Sequence, residues 1–94
     1  MNQVKESNFV TVEIFTGSNC PGCSSLKKKI KGSLPYKELN VENKENMMKA
    51  SHFGIRSLPT TILFQHNLPI ETLVGDVGLN KIKEEIKRIK GELK

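Results

Sequence analysis

The sequence predicts an α/β domain: a four-stranded mixed sheet in the order β-α-β-α-β-β-α, flanked by three helices. Three observations lead there. β-branched runs at 10–15 and 60–64 alternate with helical patterns. A β-α-β unit requires a parallel strand pair, and two runs at 60–64 and 70–74, separated by a short turn, add an antiparallel one. Finally, Leu79, Ile82, Ile86, Ile89 and Leu93 recur at steps of three and four, the mark of an amphipathic closing helix.

The elements follow in order. Residues 10–15 are apolar and β-branched apart from Glu13, and form the first strand. Thr16-Gly17-Ser18-Asn19 is a turn. Cys20 precedes Pro21, a residue suited to a first helical turn, and Cys23, Leu26 and Ile30 follow at helical spacing. Gly32-Ser33 and Pro35 end that helix. Residues 36–41 read as a second strand. Asn43 caps a helix to about Phe53, with Met47, Met48 and Ala50 inward and Gly54 at its end. After the strand at 60–64, His66-Asn67 turns the chain and Ile70–Val74 returns as an edge strand, which tolerates Pro69. Gly78 caps the last helix, with Val77 and Ile82 as a hydrophobic staple.

With 94 residues the chain has room for one domain, 1–94, of modest core. Residues 1–8 are polar, read as a flexible N-terminus, and lack the apolar centre of a secretion signal. No run approaches the roughly 18 apolar residues of a membrane span. A cytoplasmic, monomeric protein is expected. The net charge of +5 favours anionic partners, with Lys27-Lys28-Lys29 and Lys31 the densest cluster, or simply keeps the protein in solution. With no Trp and one Tyr, a stacking platform for nucleic acid is not expected.

Cys20-Pro21-Gly22-Cys23 contains both cysteines of the chain. Two cysteines this close, after a strand and at a helix start, suit reversible disulfide exchange. The ring they close is too small to restrain much of the unfolded chain, so a chemical role is favoured over a structural one. Free N–H groups and the helix dipole at Cys20 favour its thiolate, and Pro21 stiffens the turn. Cys20 is the expected attacking sulfur and Cys23 the resolving one. Two other readings compete: a buried pair of small residues, or a metal or iron–sulfur site. Cys20, Cys23, His52 and His66 supply a Cys2His2 set, but thirteen residues separate the histidines and no metal is expected.

Residues Phe53-Gly54-Ile55-Arg56-Ser57-Leu58-Pro59-Thr60-Thr61-Ile62-Leu63-Phe64 closely resemble the corresponding stretch of thioredoxins, and the resemblance extends from Val10 onward. It implies the thioredoxin fold, a cis proline at Pro59 beside the cysteines, and a groove in which Ser57 and Leu58 pair with an extended substrate and Gly75 allows close approach. It further implies protein-disulfide reduction with no bound cofactor: the redox-active Cys20–Cys23 disulfide is re-reduced by a thioredoxin-reductase-type donor or by glutathione. The chain lacks the extra N-terminal strand and helix of full-length thioredoxins, a size similar to glutaredoxins and small archaeal and phage redoxins.

There are departures. Pro21-Gly22 reverses the thioredoxin Gly-Pro order and is similar to the glutaredoxin proline position. Asn19 replaces the usual tryptophan. Ile14 stands where thioredoxins bury an aspartate, and Glu38 where they place its lysine partner. A glutaredoxin-type, glutathione-dependent enzyme is the alternative, with Lys27 or Arg56 toward the tripeptide carboxylates and Asp76 toward its amine. Gly75-Asp76-Val77-Gly78 lacks the paired aspartates typical of glutaredoxins, which favours protein disulfides.

Overall fold

The structure, a computed structural model, describes residues 9–91. The expectations of a flexible N-terminus over 1–8 and of Leu93 in the last helix lie outside those residues. Seven elements follow one another: β1 (Thr11–Thr16), α1 (Pro21–Ile30), β2 (Lys37–Asn40), α2 (Lys44–His52), β3 (Thr60–Gln65), β4 (Leu68–Val74) and α3 (Leu79–Ile89). They form a single four-stranded mixed sheet ordered β2-β1-β3-β4 with three helices, as the sequence predicts. The β1-α1-β2 crossover makes the parallel pair, Phe15 opposite Leu39, and β3 runs antiparallel to both β1 and β4.

Strand side chains alternate between two cores. Val12, Ile14, Leu63 and Leu73 point toward α1 and α3 and meet Leu26, Ile30 and Ile82. Phe15, Leu39, Ile62 and Phe64 point the other way and meet Ala50 of α2. β3 lies inside the sheet with both faces covered, which is why its first five residues are all buried. β4 is an edge strand, and Pro69 sits within it next to a register shift at Leu63/Phe64, a place where a missing N–H costs no ladder bond. The strand therefore starts two residues earlier than the apolar run at 70–74 suggests. His66 and Asn67 both have positive φ (58° and 64°), the pattern of a primed hairpin turn.

Met47 and Met48 are not inward. They are 54% and 63% exposed. The face that α2 turns to the sheet is Asn46, Ala50 and Phe53, spaced by four and three. Its first member is polar and is satisfied by an Nδ2–H bond from Asn46 to the Asn40 carbonyl, 3.0 Å. In α3, Ile82 is fully buried and packs in the same core as Val77. Glu85 is buried on the same helix, an acid where periodicity gives no warning. Its carboxylate accepts bonds from Arg88 and an ion pair from Lys81 at 3.1 Å, while Arg88 reaches Glu71 of β4 at 3.0 Å. Among the described residues no helix is long and apolar enough to cross a membrane.

Candidate active site

β1 delivers the chain to the C-terminal edge of the sheet, and Gly17-Ser18-Asn19 turns it into α1. Asn19 takes a left-handed conformation (φ 55°), which Asn accepts more readily than most residues. Cys20 is the N-cap of α1 and Pro21 opens its first turn. The Cys20 carbonyl accepts the N–H groups of Cys23 (3.0 Å) and Ser24 (3.2 Å), and its Sγ accepts the Cys23 N–H at 3.2 Å. A sulfur therefore occupies the place of a capping oxygen. No acid lies in the first turn of α1, and Lys27, Lys28 and Lys29 lie in its last. The lysines suit the negative end of the dipole, and the lack of an acid at the positive end leaves nothing to oppose negative charge on the sulfur.

Cys20 and Cys23 are joined as a disulfide with Cα atoms 5.2 Å apart. Their environments differ. Cys23 is 2% exposed, under the helix, whereas Cys20 is partly open to solvent.

Two further segments meet the pair. The Leu58–Pro59 peptide is cis, and the Thr60 hydroxyl donates to the Ser57 carbonyl at 2.6 Å, bracing the loop. The Gly75 N–H donates to the Pro59 carbonyl at 2.8 Å and ties the start of the β4–α3 connection to that loop. Pro59 is buried, Leu58 half-buried and Ser57 exposed. A Cβ on Gly22 would stand 3.2 Å from Pro59 Cδ and 4.0 Å from Asp76 Cβ, so the cysteine loop, proline loop and Asp76 converge there. A Cβ on Gly17 would stand 2.9 Å from Leu58 Cδ1. Gly17 lets the two loops close together, a requirement that the turn-rich sequence around it does not reveal.

The charged site residues are engaged within the chain. The Asp76 carboxylate bonds to Ser25 and to Lys29 Nζ at 3.0 Å, and these hold its pKa below the ordinary value against the opposing effect of burial. Glu38, beside the fully buried Ile14 in the parallel register, accepts from Lys27 at 2.9 Å and from the Thr16 hydroxyl at 2.7 Å, and its pKa is likewise lowered, chiefly by Lys27. Ser25, Lys29 and Thr16 were invisible as site neighbours in the sequence, because their partners lie far along the chain. Arg56 is exposed on the proline side. His52 stacks edge-on against Phe53 at the end of α2, and His66 lies in the β3–β4 turn. Among the described residues no cluster of three His, Cys, Asp or Glu side chains could hold a metal ion.

No family model matches the chain. It is similar to thioredoxin H4 of Arabidopsis thaliana, 29% identical over 82 residues, covering 80% of this chain and 67% of that protein. It is also similar to the thioredoxin of Rickettsia felis, 27% identical over 93 residues, covering 92% and 87%. Among solved structures, a mutant thioredoxin from Halobacterium salinarum superposes with a TM-score of 0.75 at 25% identity, covering 93% and 80%. The thioredoxin of Malassezia sympodialis superposes at 0.70, covering 89% and 77%, and at 24% identity speaks for the fold.

Fold and cysteine pair together define a thiol–disulfide oxidoreductase whose redox group is its own disulfide. Within that class the chain is similar to thioredoxins in sequence and fold, with a Cys-Pro-Gly-Cys loop in place of the order usual in thioredoxins.

Proposed function

We propose that the protein reduces disulfides in other proteins, with Cys20 as the attacking sulfur and Cys23 as the resolving one. The observation that carries this reading is the asymmetry of the pair: Cys20 is partly exposed and caps a helix through its sulfur, while Cys23 is buried one turn in. In the reduced protein the Cys20 thiolate attacks a substrate disulfide, forming a mixed disulfide and releasing one substrate thiolate. Cys23 then loses its proton and attacks Cys20 Sγ. The second substrate thiolate leaves, and both released thiolates take up protons. One substrate disulfide has become two thiols, and the enzyme leaves as the Cys20–Cys23 disulfide.

Asn19, Pro21 and Gly22 shape the loop. Ser57, Leu58 and Pro59, with Gly75 opposite, form the groove in which an extended substrate segment adds to the backbone of Leu58. A thioredoxin-reductase-type flavoprotein is the proposed electron donor. Glutathione is less well supported, because Lys27 and Asp76, two of the groups suited to hold it, are paired with Glu38 and Lys29. The cycle belongs in a reducing compartment such as the cytoplasm.

Insulin reduction tests this directly. Turnover is expected with NADPH and thioredoxin reductase, and little with glutathione and its reductase. The Cys23→Ser variant is expected to accumulate a mixed disulfide on Cys20, visible as a mass adduct. Full turnover by Cys23→Ser without an adduct would overturn the assignment of roles.

A further inference from the structure

Between Glu13 and Glu38 the chain carries five lysines and no acidic residue, and this stretch contains the redox loop and all of α1. α1 disposes of two of its lysines internally, Lys27 to Glu38 and Lys29 to Asp76. Lys28 and Lys31 are exposed, and neither side chain forms a hydrogen bond or ion pair among the described residues. Ser24, Lys28 and Lys31 are spaced i, i+4, i+7 and so form one line along the helix, about 10 Å long at 1.5 Å per residue. The line starts beside Cys23. It lies along an open groove of about 420 Å3 between α1 and β2, closed on its far side by Tyr36 and Glu38. Lys27 balances the charge of the Glu38 carboxylate, whose Oε2 also accepts from Thr16, so the groove's net charge is that of Lys28 and Lys31.

We propose that this flank of α1 is a docking surface for an acidic protein: a partner whose disulfide is presented to Cys20 lays a carboxylate-bearing segment along Ser24, Lys28 and Lys31. The inference rests on the disulfide-exchange reading and adds the class of partner. Charge complementarity selects the occupant. The apolar core of the exchange groove does not discriminate between partners by charge, whereas two unpaired lysines one and two turns from the reacting sulfurs do. They attract an acidic partner before contact and penalise a basic one. The groove is solvated, so the effect is salt-sensitive and falls mainly on association.

The test uses two synthetic peptides with the same cystine loop, one with a Glu tail and one with a Lys tail. At low salt the reduced protein is expected to reduce the Glu-tailed peptide with a kcat/KM about tenfold higher than the Lys-tailed one, within the range of electrostatic steering. At about 1 M salt, where screening acts over about 3 Å, the preference is lost. Lys28→Glu/Lys31→Glu is expected to invert the preference and Lys28→Gln/Lys31→Gln to remove about half of it. Lys83→Glu/Lys87→Glu, with the same change of net charge on α3, leaves it. Equal effects of the two reversals would mean that only net charge matters, and would overturn the proposal.

Two arms separate this from the chemistry. Reduction of uncharged hydroxyethyl disulfide reports the redox reading alone and is expected to be unchanged in all lysine variants. Binding of the oxidised Glu-tailed peptide to Cys20→Ser/Cys23→Ser protein, followed by fluorescence anisotropy, reports docking alone. If hydroxyethyl disulfide is not reduced, the redox reading fails while the binding arm still decides the docking. Tighter binding of an oligonucleotide than of the Glu-tailed peptide through the same two lysines would assign the flank to nucleic acid and overturn it.

Discussion

Helices α1 and α3 cover the same face of the sheet and share one core, yet they use their polar groups in opposite ways. α3 interleaves its charges. Lys81 and Arg88 both bond to Glu85, and Arg88 continues to Glu71, so the helix is fastened along its own length and to β4. Its N-cap, Gly78, makes no side-chain bond. α1 has no acid of its own, sends Lys27 and Lys29 outward to acids on β2 and on the β4–α3 connection, and is capped by a sulfur. A helix built only to cover a core has no reason to put a cysteine at the cap, where Ser, Asp or Asn serve better. The contrast separates what holds this fold from what it does.

The sharpest way to break that separation is a pair of substitutions. Cys20→Ser is expected to reduce disulfide turnover to background. It leaves the stability of the reduced protein within about 0.5 kcal/mol, because a serine oxygen caps a helix well. Ile82→Ala is expected to do the reverse, costing about 3 kcal/mol of stability through the cavity it leaves under α3. Activity per folded molecule should stay near wild type. Urea titration of the two reduced variants alongside insulin turnover gives both values. If Cys20→Ser unfolded the domain or Ile82→Ala disabled the folded enzyme, the two helices would not divide the work as described.

Next in size is Gly17→Val. The new side chain must displace Leu58, whose Cδ1 would lie 2.9 Å from the first added carbon. A loss of about tenfold to a hundredfold in kcat/KM for a protein disulfide is expected, since a positioning group misplaced by about 1 Å can cost about a hundredfold in rate. Reduction of hydroxyethyl disulfide, which does not use the groove, should be nearly unaffected.

Acid titration addresses the ion pairs. Asp76, Glu38 and Glu85 all have folded-state pKa values lowered by their partners: Ser25 then Lys29, Lys27 then Thr16, and Arg88 then Lys81. A lowered carboxyl pKa gives stability that is present above the unfolded value and lost as pH falls through the folded one. Stability should therefore be flat near neutrality and decline below the ordinary carboxylate range. Glu85→Gln and Asp76→Asn should each flatten that decline. A steeper decline in either variant would contradict the direction of the shift. The smallest effect expected is a gain. Thr61 is fully buried next to Ile14, and its hydroxyl has no partner among the described residues. Thr61→Val should stabilise by about 1 kcal/mol, read as a higher urea midpoint.

Much of this arrangement was legible in the sequence because it is local. The order of seven elements, the Asn43 and Gly78 caps, the His66-Asn67 turn and the amphipathic stripe of α3 all follow from residues within a turn or two of one another. The cysteine pair was legible for the same reason. Met47 and Met48 misled because apolar character marks only what a residue could bury. The sheet-facing line of α2 begins with Asn46, which satisfies its amide on the Asn40 carbonyl. The approach of Gly17 to Leu58, the contact of Gly22 with Pro59, and the Lys29–Asp76 pair join positions more than 35 residues apart, and nothing in local spacing encodes them. The burial of Glu85 is similar: its partners on α3 are near, but Arg88 is anchored by Glu71 on another element.

The central claim is that the helix start at Cys20 favours the thiolate, and one titration tests it most directly. In reduced Cys23→Ser protein, the rate of Cys20 alkylation by iodoacetamide is followed against pH. A midpoint at least one unit below the free-cysteine value of about 8.5 is expected. A midpoint at or above that value would mean that the N-terminus of α1 does nothing for the sulfur it carries.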